Sequence, residues 1–348
     1  MPISDSQQFT FQRRRPQRRS LSLVSSDLVK LSPLLPDSRL PLLAQPTLDG
    51  LDLVTWAERH RPLIEAQLQQ HGGILFRNFR LPSIERFEQL IGAVSGKLQD
   101  YDYRSTPRNP VSGKIYTSTE YPSSQTIPLH NEMSYTSCWP GKIWFFCVKA
   151  ADQGGDTPIA DSRRVFDRLS PTLKQQFIRK RVMYVRNYND DIDLPWQTVF
   201  QTGDRQAVER YCHKAGIDFE WKSANHLRTR QVCQAVMAHP HTGDLVWFNQ
   251  AHLFHISNLP TAVSDHLLAE FQPEDLPRNA YYGDGSPIEA TALEEIRAVY
   301  HQETIRFPWQ SGDILMLDNL LSAHGRMPFS GTRQVVVGMA EPLSGTGL

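Results

Sequence analysis

From Lys97 to the C-terminus, glycine, proline, asparagine and aspartate cut the chain into short apolar stretches, and this texture constrains the fold more than any other feature. Segments bounded by such turn formers, and too short for helices, read as strands. The expected strands are Lys114–Ser118, Lys142–Lys149, Val182–Tyr188, Ile217–Trp221, Leu245–Phe248, Ile314–Leu317 and Gln334–Met339. Helical spacing interrupts them at Arg163–Lys180, Arg205–Lys214 and Thr291–Glu303. Ahead of Lys97, Trp56, Leu63, Ile64 and Leu68 predict a helix over Thr55–Gln70, ended by Gly72-Gly73. Ile74-Leu75-Phe76 reads as a buried strand, and Ser83 caps a helix with Ile84, Phe87, Leu90, Ile91 and Val94 on one stripe. Many short strands with helices appended predict an α+β, mainly β architecture: a β-sandwich or barrel-like jelly roll.

Charge narrows the function. The 348 residues carry 37 Lys+Arg and 37 Asp+Glu, so the chain as a whole lacks the basic excess of a nucleic-acid binder. The longest apolar run is Ile143 to Val148, far below the roughly 20 residues of a membrane helix. No secretory signal pattern opens the chain, and Cys138, Cys147, Cys212 and Cys233 form no C-x-x-C pair. A cytoplasmic protein with reduced, mostly buried thiols is expected. Residues 1–49 differ from the rest: Arg13, Arg14, Arg15, Arg18 and Arg19 cluster ahead of Pro33, Pro36, Pro41 and Pro46. They read as a basic N-terminal arm on a domain spanning 50–348. No G-x-G-x-x-G or P-loop pattern is present.

The chemistry-bearing stretch is Ile127-Pro128-Leu129-His130-Asn131-Glu132. On a strand, residues two apart share a face, so His130 and Glu132 would present an imidazole and a carboxylate to one point. Near the C-terminus, His324 in Ser322-Ala323-His324-Gly325-Arg326 follows a buried strand and a turn that could deliver it to the same place. Two histidines and one carboxylate on one face form the triad that holds non-haem Fe(II) while leaving positions open. Thr157, in Gly154-Gly155-Asp156-Thr157-Pro158, and Arg333 supply a hydroxyl and a guanidinium suited to the far carboxylate of a dicarboxylic cosubstrate.

The order H-x-E, G-G-D-T-P, S-A-H-G-R and Arg333 resembles the TauD/TfdA family of Fe(II)/2-oxoglutarate-dependent dioxygenases, and within it the branch of the syringomycin-pathway aspartate hydroxylase. Tyr116–Pro122, Trp247–His252 and Pro277–Gly285 fit that branch, and the likeness spans roughly residues 50–342. The resemblance implies a double-stranded β-helix (jelly-roll) core. It implies Fe(II) on His130, Glu132 and His324, and 2-oxoglutarate held by Arg333 and Thr157. It implies use of O2 with release of succinate and CO2, and hydroxylation of an amino acid or amino-acid-derived natural-product intermediate, free or tethered to a carrier protein. Glu132 argues against halogenation, since the related halogenases lack a carboxylate there. Desaturation, cyclisation and epimerisation share the same oxidant, and a jelly-roll binding protein with an idle metal site is the alternative of another class.

For substrate contact the candidates are Arg104, Arg163 and Asn249, each with a bland reading as an ion-pair partner or a buried amide; Gln250 could line the pocket, and Arg326 could support the metal site. His239-Pro240-His241 reads as an exposed hairpin and His252-x-x-His255 as packed against the core. Together they are the basis for a rival zinc hydrolase.

Overall fold

The computed structural model describes residues 28–99, 110–118, 121–189 and 194–345. An eight-stranded sheet runs in the spatial order Val29–Leu35, Ser38–Pro46, Gly73–Phe76, Ile314–Asp318, Cys138–Lys149, Gln334–Ser344, Ile115–Thr117 and Pro110–Ser112. Its pairings are antiparallel except where Ser38–Pro46 meets Gly73–Phe76. A three-stranded sheet of Ile127–His130, Ser322–Arg326 and Ile159–Asp161 forms the opposing wall. The chain leaves Ile127–His130 for Cys138–Lys149 and returns at Ile159–Asp161; later it passes from Ile314–Asp318 to Ser322–Arg326. This alternation between two sheets is the jelly roll.

The apolar run Ile143–Val148 lies in the middle of the large sheet and is buried on both faces from Ile143 to Cys147. Trp144 and Phe146 pack outward with Ile314 and Met316 against helices Leu53–Arg59, Arg61–His71 and Ile84–Ser95. Ile143, Phe145 and Cys147 pack inward with Leu315, Leu317 and Val337. Two apolar faces at period two explain why this strand reads as a continuous apolar run. Between Asp161 and Ile314 a third body is inserted, built on the antiparallel sheet Asp218–Trp221, Leu227–Cys233, Val182–Tyr188, Arg278–Tyr282 with its own core.

Three expectations need correction. Residues 29–46 do not lie apart from the domain, because their hairpin extends the large sheet; residues 1–27 of the arm lie outside the described residues. The helix expected over Thr55–Gln70 is two, broken at His60, because Pro62 opens the second one. Arg163–Lys180 likewise breaks into Ser162–Arg168 and Pro171–Lys180, with Ser170 capping and Pro171 starting the second. Proline has no N–H to give a preceding turn but suits the first turn of a new helix. Cys138 is exposed while Cys147, Cys212 and Cys233 are buried, and burial pushes the Cys147 and Cys212 thiols up to about 12.

Candidate metal centre

His130 and His324 face one another directly across paired strands. Their ring centroids lie 4.6 Å apart, and Phe145 from the large sheet stands 5.1 Å from the His324 ring. Gly325 makes this approach possible, since a Cβ there would sit 2.5 Å from the carbonyl oxygen of Ile127. Glu132 joins them by a different route from the one its spacing suggested. The strand ends at His130, and Glu132 lies in the following turn, where Met133 takes the left-handed conformation at φ 57°. One ligand atom from each of His130, Glu132 and His324 nevertheless lies within 4.8 Å of the others.

A network of amides holds that turn. Asn319 Oδ1 accepts from the Glu132 backbone N–H at 2.7 Å, and its Nδ2 donates to the Glu132 and Pro140 carbonyls. Asn131 Nδ2 donates to Ser162 Oγ and to the Asn319 carbonyl, and Gln250 Nε2 donates to the Asn131 carbonyl at 2.8 Å. All three amides are buried. Asn319 is in turn set by Asp318, whose Oδ1 accepts from Leu320 and Leu321 and whose Oδ2 lies 3.1 Å from His239 Nε2. His239 is therefore buried against the crossover that delivers His324, not solvated on an exposed hairpin.

The donor set fits a divalent metal. His130 Nδ1 lies 2.8 Å from the Pro128 carbonyl, so it carries the proton and leaves the Nε2 lone pair for a ligand bond. His324 Nε2 is 3.6 Å from Glu132 Oε2, and both residues are buried. A buried carboxylate beside two imidazoles is a donor set that a divalent cation completes.

Thr157 and Arg333 line the same cavity as His130 and His324. Thr157 Oγ accepts from Trp309 Nε1 at 3.0 Å, which leaves its own proton to donate. Arg333 donates from Nε to the Gly155 carbonyl at 2.9 Å and from Nη1 to Ser118 Oγ at 3.3 Å. Burial, reinforced by the nearby Arg326 charge, lowers its pKa to about 10, so it stays a cation near neutrality. Among the described residues, no carboxylate lies within ion-pair distance of it. Arg326 sits at the rim and donates to the carbonyls of Tyr121, Pro122 and Gln125, tying that loop over the cavity.

Of the substrate candidates, Arg163 and Asn249 do not line this cavity. Arg163 is locked onto Asp161 by two side-chain bonds of 2.9 and 2.8 Å. Asn249 spends its amide on the Ala235 carbonyl and the Ala251 N–H. Arg104 lies outside the described residues. His252 is packed as expected: its ring stacks on Tyr300 at 4.7 Å, Nε2 meets the Leu129 carbonyl, and burial depresses its pKa to about 3. Among the described residues, His130, Glu132 and His324 form the one cluster able to hold a metal, which removes the basis for the zinc rival. Asn319, Trp309 and Ser118 escaped the sequence reading. Ser118 figured only as part of Tyr116–Pro122, without a role.

A jelly roll with two histidines and a glutamate converging between its sheets defines the non-haem Fe(II) oxygenases. The chain belongs to the TauD family: residues 31–340 match the model described as taurine catabolism dioxygenase TauD, TfdA family. The dapdiamide synthesis protein DdaC of Enterobacter agglomerans is 42% identical over 284 residues, 82% of this chain and 86% of that protein. A clavaminate synthase-like protein of Arabidopsis thaliana is 27% identical over 288 residues, covering 80% of this chain and 84% of the relative. Among solved structures, PvcB from Pseudomonas aeruginosa aligns with a TM-score of 0.55 at 16% identity, over 91% of this chain and 93% of PvcB. A second PvcB structure is described as an Fe, alpha-ketoglutarate dependent oxygenase from an isonitrile synthetic pathway. The chain is thus a non-haem Fe(II)/2-oxoglutarate dioxygenase, with Fe(II), 2-oxoglutarate and O2 as its cofactors and cosubstrates. No helix among the described residues is long and apolar enough to cross a membrane.

Proposed function

We propose that the protein hydroxylates an amino acid or an amino-acid-derived intermediate of a natural-product pathway, with release of succinate and CO2. The observation that carries the site assignment is the convergence of His130, Glu132 and His324 beside an Arg333 that, among the described residues, no carboxylate pairs with. The pathway class rests on the 42% identity to a dapdiamide synthesis protein.

In this reading His130, Glu132 and His324 hold Fe(II), which with 2-oxoglutarate and O2 supplies the oxidant for C–H cleavage. Arg333 and the Thr157 hydroxyl bind the distal carboxylate of 2-oxoglutarate, and the Trp309 bond fixes the direction in which Thr157 donates. Asn319 holds the Glu132 turn so that the carboxylate stays aimed inward. Phe145 and Ile127 keep apolar walls on the cavity, limiting water at the reacting centre. Glu132 occupies the carboxylate position, which favours hydroxylation over halogenation.

Two further elements belong to the proposal. The substrate reaches the site free or on a carrier protein, and the basic residues before Ser20 dock an acidic carrier. The test is a screen of free and carrier-loaded amino acids for succinate release, with mass detection of product. A gain of one oxygen is expected. A loss of two hydrogens would replace hydroxylation with desaturation, and no succinate with any substrate would overturn the reading. Deleting residues 1–20 should slow tethered substrates more than free ones; equal effects would remove the docking role.

A further inference from the structure

A second cavity, of about 510 Å³, lies between the strand Ile127–His130 and the helix Ala290–Glu303. That is the size range of small-molecule sites. Its walls include Ile127, Leu129 and Met327 on the apolar side and His252, Arg297 and Tyr300 on the polar side. Ile127 lines both this cavity and the metal cavity, so the strand that carries His130 stands between them.

The polar side is built but unanswered. His252 and Tyr300 are 3% and 4% exposed, yet His252 Nδ1 and the Tyr300 hydroxyl have no hydrogen-bond partner, and neither has Arg297 Nε. Leaving buried polar groups unmade costs on the order of 1–3 kcal/mol each, so each calls for a ligand or a water. Their chemistry is defined. His252 donates from Nε2 to the Leu129 carbonyl, which leaves Nδ1 as an acceptor. Arg297 Nη2 donates to the His252 carbonyl and to Ser257 Oγ, and among the described residues no carboxylate pairs with this cation. Arg306, also on the cavity, is already paired with Asp156.

We propose that this cavity is a second small-molecule site, separate from the metal centre, for an anion with an apolar body such as an aryl or alkyl carboxylate. The anionic head pairs with Arg297 and Tyr300 while the body rests on Ile127, Leu129 and Met327. The site does not rest on the assignment of the metal centre, and its test does not use turnover.

The probes are 4-phenylbutyrate and its neutral amide, titrated calorimetrically into the full-length protein. Saturable binding of the acid is expected, weaker for the amide by at least about ten-fold, the loss that follows from one hydrogen bond to a charged group. Arg297→Gln should weaken the acid by a similar factor. Tyr300→Phe, which keeps the ring stacked on His252, should weaken it several-fold and guards against a folding artefact in the arginine variant. Binding should persist in His130→Ala and under saturating 2-oxoglutarate. Equal affinity for acid and amide, indifference to both variants, displacement by 2-oxoglutarate, or no saturable binding of either probe would each overturn the proposal.

Discussion

Arg163 and Arg333 are both arginines drawn into the protein, and they differ in what meets their charge. Arg163 starts a helix and meets Asp161 two residues earlier, with Asp244 3.5 Å away. Arg333 follows the turn after the distal histidine, and among the described residues it meets a carbonyl, a hydroxyl and the Phe329 ring but no carboxylate within ion-pair distance. A desolvated cation answered inside the chain is part of the framework. One held by neutral acceptors is prepared for an anion from outside. The histidines divide in the same way. Both have one ring nitrogen on a carbonyl, but burial drives His252 to the neutral form away from any acidic cluster, whereas His130 places a ring nitrogen within 4.8 Å of the ligand atoms of Glu132 and His324.

That contrast can be broken at several points. The largest effect belongs to Glu132→Ala, which should bring Fe(II)-dependent 2-oxoglutarate turnover to background; retained turnover would mean the triad is not the metal site. Arg163→Ala should cost about 3 kcal/mol in denaturant unfolding, because it strips a buried carboxylate of its main partner and leaves the exposed Arg39. It should leave the KM for 2-oxoglutarate alone, and a raised KM would move Arg163 into the site. Arg333→Ala should show the mirror image: a loss of about 2 kcal/mol of cosubstrate binding, roughly a 30-fold rise in KM, with little loss of stability. Equal stability losses in the two variants would collapse the distinction.

The histidine half of the comparison is tested by pH. His252 has a folded pKa near 3, below its unfolded value near 6.5. Its contribution is fully present above the unfolded value. It is lost as pH falls toward the folded one, because only the unfolded chain takes up the proton. His252→Gln should therefore flatten the stability–pH curve between about 6.5 and 4 by roughly 1.4 kcal/mol per pH unit. A curve of unchanged slope would show that this imidazole is not held neutral. The smallest effect is Thr157→Val, which should raise the 2-oxoglutarate KM about five-fold by removing one donor, near 1 kcal/mol. An unchanged KM would leave Arg333 as the sole anchor.

Much of this was legible beforehand where local rules and tertiary packing agree. Val182–Tyr188 was read to the residue, and Ser83 caps its helix by accepting from the Arg86 N–H as its type and position predict. The metal ligands were legible from residue type and order. The reason offered for Glu132 was incomplete, since a turn shaped by Asn319 rather than strand alternation aims it. Asn319 itself was invisible because its partners lie 179 and 187 residues away. The hairpin Val29–Leu35 and Ser38–Pro46 was hidden by its prolines. Pro33 and Pro41 suggest an arm, whereas Pro33 lies on the edge strand and Pro41 falls where the hairpin register shifts, the two places a sheet tolerates a missing donor. His239 looked exposed because a turn follows it. Its burial against Asp318 is a long-range fact that no local signal carries.

The cross-strand pairing of His130 with His324 also dictates an order of events during synthesis. A ribosome that has made the first 300 residues has delivered two of the three ligands and nothing to close the ring around an ion. The strand Ile314–Asp318, which fills the gap between Gly73–Phe76 and Cys138–Lys149, is equally late to emerge. The nascent chain therefore waits with the middle of its main sheet missing, a long loop still to be closed before non-local pairing can reward it. An ion that needs all three ligands can be held only after Ser322–Arg326 has emerged and paired with Ile127–His130.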